Sequence, residues 1–128
     1  MAKKLAYVAV LLSLLLPLTN VWALALTEAR LHSSLNQVLD ATIELRSATA
    51  AELDSLNVYI SRIDGGTPTR GTWPGVKAEL VRLEKGNSYL KITSKENVRE
   101  PVLNFIVELT WSTGRIQREY TLLLNPAR

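Results

Sequence analysis

From residue 41 to the end of the chain, apolar and polar residues alternate in short runs. In Ala41-Thr42-Ile43-Glu44-Leu45-Arg46 the apolar residues are odd-numbered and the polar ones even. A period of two places each set on its own face of a β-strand. Val58-Tyr59-Ile60 continues the pattern, with Leu56 in the phase of Val58. Leu90 and Ile92 alternate with Tyr89, Lys91 and Thr93. The longest run is Val102 to Trp111. Leu103, Phe105, Val107, Leu109 and Trp111 share one face, and Asn104, Glu108 and Thr110 share the other with Val102 and Ile106. A last run groups Ile116, Tyr120, Leu122 and Leu124. Ala29 with Leu31, and Lys77 to Glu84, give two weaker strands, which makes about seven in all.

Turn signals separate these runs. Lys85-Gly86-Asn87 and Ser112-Thr113-Gly114 each resemble a short hairpin loop with glycine where a positive φ is needed. Thr49-Ala50-Ala51-Glu52 is a capping-box pattern that opens a helical turn running to Leu56. Ile63 to Val76 carries four glycines and two prolines, with Trp73 beside Pro74, and is the long irregular loop. Seven short strands with frequent turns predict an all-β fold, an immunoglobulin-like antiparallel sandwich. The chain has no cysteine, so packing alone must hold the two sheets together. Phe105, Val107 and Leu109 are expected at the centre of that core.

The first residues follow a different rule. Lys3 and Lys4 precede Leu5 to Leu16, where Ser13 is the one polar residue. Pro17 follows, and then Val21-Trp22-Ala23. A charged start, an apolar stretch and a small-residue cut site make a secretory signal peptide. Twelve residues of helix rise about 18 Å, short of the roughly 30 Å hydrocarbon core of a membrane. Residues 1–23 are therefore expected to be removed after Ala23, with Ala25 the alternative, leaving 24–128 as one exported domain without a membrane span. A bacterial periplasm is the expected location.

Composition narrows the function. Removing Lys3 and Lys4 leaves 13 basic residues against 12 acidic ones, so the basic footprint of a nucleic-acid binder is missing. Without cysteine and with His32 as the single histidine, thiolate and multi-histidine metal sites are excluded. No phosphate loop and no HExxH, GxSxG or SxxK motif occurs. His32 reads as a solvent-facing strand residue, Glu52 and Asp54 as acids favoured early in a helical turn, and Glu79 and Glu84 as solvated. No enzyme, cofactor or metal is expected.

The candidates that remain are for surface recognition. Tyr59 and Tyr89 lie on the polar faces of their strands, and Trp73 sits in the glycine-rich loop. Such aromatics serve either strand packing or contact with a sugar ring or partner protein. Arg99 and Glu100 precede Pro101 and the longest strand, and Arg118 lies beside Glu119 in the last one. Together these six residues form the candidate interaction surface, acting by surface docking or by strand addition at a sheet edge. A peptidoglycan- or glycan-binding module, and a chaperone-like binder of subunit strands, are the rival functions.

Several stretches resemble one family. Leu31-His32-Ser33-Ser34-Leu35-Asn36-Gln37, Leu39-Asp40-Ala41, Ile43-Glu44-Leu45 and Glu52-Leu53-Asp54-Ser55-Leu56 are similar to the start of mature FimV/HubP-type proteins. Ile92-Thr93-Ser94, Val98-Arg99-Glu100-Pro101, Leu103-Asn104-Phe105, Val107-Glu108, Gly114-Arg115, Arg118-Glu119-Tyr120-Thr121 and Leu123-Leu124 extend the likeness over nearly the whole mature chain. The resemblance implies the periplasmic N-terminal domain of a non-enzymatic type IV pilus assembly and cell-pole organising protein. Its partners would be envelope, pilus or secretion-system proteins. Such proteins continue into a LysM module, one transmembrane helix and an acidic cytoplasmic tail, and support twitching motility. Two departures stand out. Ser61 to Gly75 is shorter and richer in glycine than the family's segment there. The sequence also stops at Asn125-Pro126-Ala127-Arg128, where the family enters a linker. It is either a stand-alone relative or the head of a longer gene product.

Overall fold

The computed structural model describes residues 24–63 and 70–126. The expected leader and residues 64–69 of the long loop lie outside the described residues. The strands are β1 (Ala25–Leu31), β2 (Val38–Arg46), β3 (Asn57–Arg62), β4 (Val76–Val81), β5 (Tyr89–Asn97), β6 (Val102–Trp111) and β7 (Gly114–Leu123). One helical turn, α1 (Ala50–Asp54), sits between β2 and β3. All pairings are antiparallel. One sheet has the order β1-β2-β5-β4 and the other β3-β6-β7. That is the strand order of a constant-type immunoglobulin sandwich.

The alternation explains the layers. Leu39, Ala41, Ile43 and Leu45 of β2 and Leu90 and Ile92 of β5 point inward from the first sheet, and all are buried. Leu103, Phe105, Val107 and Leu109 of β6 meet them from the second sheet with Tyr120 and Leu122 of β7. Burying each of the leucine, isoleucine, valine and phenylalanine side chains contributes roughly 1.5–3 kcal/mol. Where antibody domains join the sheets by a disulfide, Phe105 lies between two other rings. Trp73 stands 5.2 Å away and Tyr120 5.5 Å away, centroid to centroid.

Several expectations need correction. Trp73 is not exposed. It is 8% accessible and turns from its loop into the core, where its ring packs against Phe105 and leaves water. The Trp73 carbonyl accepts from Val76 N–H at 3.2 Å, which turns the chain into β4. The connection around Gly86 spans residues 82–88 and is no short hairpin, although Gly86 does take a positive φ of 85°. Gly114 has no positive φ; it is needed because the Trp111 ring lies over it, 2.7 Å from where a Cβ would stand. β4 ends at Val81, short of Glu84, and α1 ends at Asp54, short of Leu56. The capping box forms as expected. Thr49 Oγ1 accepts from Glu52 N–H, and Glu52 Oε1 accepts from Thr49 N–H.

Candidate interaction surface

The outer face of the β3-β6-β7 sheet is built by residues in the phase opposite the core. Register sets Tyr59, Glu108 and Gln117 in one row across the three strands. Asn57, Thr110 and Arg115 form the next row. Glu108 is the unexpected member, because its side chain is only 10% exposed on a solvent-facing strand position. Two arginines cover it. Arg70 Nε stands 2.6 Å from Oε1, and Arg115 Nε stands 3.7 Å from Oε2. Oε1 makes no well-directed hydrogen bond, so the Arg70 contact is an ion pair and not a fork. A carboxylate taken out of water is costly unless countercharges stay close, which two guanidinium groups provide.

The long loop completes this face. Arg70 lies over the Tyr59 ring, 3.9 Å from its centroid, a cation–π contact. Gly71 follows with a φ of 70°, a left-handed conformation suited to glycine. Its N–H donates to Ser61 Oγ at 2.7 Å. Arg62 N–H donates to the Thr72 carbonyl at 3.1 Å, so the loop returns along β3. The heads of Arg70 and Arg115 remain 56% and 65% exposed. The result is an aromatic base with two held cations, whose free N–H groups have the chemistry to meet carboxylate or amide oxygens. Further along the same face, Val102 and Leu123 pair across the strands and expose apolar surface.

The opposite sheet carries a wide hollow of about 760 Å³ beside β1, lined among others by Thr27, Arg30, Glu44, Arg46, Tyr89 and Arg118. Asn87 Nδ2 donates to Glu44 Oε1 at 2.6 Å within it. Arg118 points to the sandwich edge, where it donates to the Leu26 carbonyl at 2.8 Å. His32 is exposed and shares a 2.9 Å hydrogen bond with Thr42 Oγ1. Among the described residues, no three His, Asp or Glu side chains gather in a metal-binding group. No described helix is long and apolar enough to cross a membrane.

The six residues singled out from the sequence do not converge. Tyr59 sits on one outer face and Tyr89 on the other. Trp73 belongs to the core. Arg99 and Glu100 are exposed between β5 and β6, where Glu100 pairs with Arg62. Arg70, Glu108 and Arg115 were not anticipated. The Ser112-Thr113 turn sets the register that brings Arg115 beside Glu108, so that pair was open to reasoning from the turn. Arg70 comes from the loop, and no periodicity marks it.

The fold is an immunoglobulin-like sandwich, and one of its outer faces carries this polar cluster. Residues 24–127 match the model of the FimV N-terminal domain, described as an Ig-like domain, and the chain belongs to that family. Motility hub proteins FimV from two strains of Pseudomonas aeruginosa are 39% identical over 107 residues, covering 80% of this chain. The match covers only 12% of each of those relatives. A solved conjugative transposon lipoprotein from Bacteroides eggerthii aligns with a TM-score of 0.42 and 14% identity, over 77% of this chain and 93% of that one.

Proposed function

We propose that this chain is an exported, non-enzymatic interaction module of the type IV pilus machinery or a related secretion apparatus, working in the periplasm at the cell pole. Family membership supports the motility setting, and the leader-like residues 1–23 support export, with 24–128 as the working domain. The observation that carries the docking role is the covered carboxylate Glu108, which holds Arg70 over Tyr59 on an outer sheet face. The face suits an envelope protein that offers acidic and amide groups. Photo-crosslinking in cells from a residue analogue placed at Asn57, beside the cluster, tests it. Capture of a pilus or secretion component, lost in Arg70→Gln at a temperature where that variant is still folded by circular dichroism, is the expected result. Absence of any such adduct, in cells where a known pilus pair crosslinks, removes the proposal.

A second reading rests on the hollow beside β1. Tyr89, Glu44 and Asn87 offer the ring-plus-hydrogen-bond chemistry that a glycan of the cell wall needs. Sedimentation with purified peptidoglycan, abolished by Tyr89→Ala, is its expected signature. Wild-type protein that stays in the supernatant excludes it.

A further inference from the structure

Four strands lie at sheet edges, and three are occupied or short. β1 carries a bulge between Leu26 and Ala29, and the Leu26 and Thr27 carbonyls accept from Arg118 and from the Tyr120 hydroxyl. β3 is followed by its own loop through Arg62 N–H and Ser61 Oγ. β4 spans only Val76–Val81, and its Lys77 and Glu79 pair with each other. β7 differs. It runs ten residues in unbroken register with β6, without proline and without a bulge.

The hydrogen-bonding phase of β7 follows from its turn. Trp111 and Gly114 flank two turn residues and therefore form a hydrogen-bonded pair. Leu124 N–H donates to the Pro101 carbonyl at 2.8 Å, which puts the even-numbered residues toward β6 at the other end too. Arg115, Gln117, Glu119, Thr121 and Leu123 then turn their N–H and C=O groups outward. Among the described residues no hydrogen bond reaches those groups. Such an edge is a template for another strand.

Charge selects the strand. We propose that two copies of this chain pair antiparallel along β7, with the two-fold axis at Gln117. In that register Arg115 of each copy stands directly opposite Glu119 of the other, twice over. Gln117 meets itself, and Arg118 meets Ile116. Moving the axis to Arg118 sets two arginines face to face, and moving it to Glu119 opposes two carboxylates. An axis at Tyr120 or Ile116 brings no opposite charges together. Arg115 has a second partner in Glu108 at 3.7 Å and donates to Gln117 Oε1 at 3.4 Å. Those long contacts leave its head 65% exposed and able to meet a carboxylate across the axis. The joined sheet would have six strands, and both Tyr59 faces would remain open. The inference does not depend on which protein docks at Tyr59.

Sedimentation of the purified exported chain over a wide concentration range tests it. The wild type is expected to show a reversible monomer–dimer equilibrium. Like charges directly opposite each other weaken strand pairs, so Arg115→Glu and Glu119→Arg should each raise the dissociation constant about tenfold. The combined swap should bring it back toward wild type. Gln117→Pro should give a monomer with an unchanged melt, because the lost N–H faces away from β6. If Gln117→Pro does not fold, the charge swap alone decides. A wild type that stays monomeric at the highest concentration, or a dimer indifferent to both charge reversals, overturns the proposal.

Discussion

Trp111 and Gly114 show how one residue is set by another's bulk. The ring occupies the space over the glycine, so Gly114→Ala must push it aside. Overpacking of this kind costs about 1–3 kcal/mol. The loss is expected to vanish in a Trp111→Ala background, measured as a double-mutant cycle in urea. Tyr120 is set by burial instead. Burial pushes its phenol up to about 12, while Arg118 acts the other way, 5.1 Å from the ring centroid. The neutral phenol also donates to the Thr27 carbonyl at 2.6 Å. Folding therefore favours the protonated form. The stability this provides is complete below the ordinary value of 10.0 and is lost as pH rises toward 12. Tyr120→Phe should lose about 1 kcal/mol at neutral pH. It should also fall less steeply than wild type between pH 10 and 12, as denaturant melts across that window will show.

At the scale of elements, strands and turn were legible for different reasons. Val102–Trp111 keeps one face apolar throughout, and its inward residues Phe105, Val107 and Leu109 are fully buried. The helical turn was legible from its cap. Since α1 is a single turn with no buried residue, the capping box contributes much of its stability. Thr49→Ala should cost about 1 kcal/mol, read from the urea midpoint, with the rest of the sandwich unaffected. Connections were harder, because no periodicity governs them. Trp73 looked like a surface residue among glycines, and only the packing of the loop on β3 and β6 puts its ring against Phe105. The Tyr59 cluster was half legible. Tyr59 follows from its phase, but the burial of Glu108 depends on Arg70, which arrives from that same loop.

For the whole molecule, the proposed leader and the core meet at one bond. Leu24 is 1% exposed and belongs to the core, and Ala25 pairs with Arg46 at the start of β1. Cleavage after Ala23 keeps both. Cleavage after Ala25 removes a buried leucine and the first rung of the β1–β2 ladder, and losing such a side chain costs about 2–5 kcal/mol. That is a large share of the roughly 5–15 kcal/mol of a typical domain. A peptidase reads an extended chain, so the fold does not steer the cut. Yet a sandwich packed around Leu24 keeps its full stability only when Leu24 is retained. The intact mass of protein recovered from the periplasm is expected to begin at Leu24. A chain made to begin at Leu26 should unfold at lower denaturant. Recovered protein that begins at Leu26 and matches the longer chain in stability would show that Leu24 contributes nothing to the core.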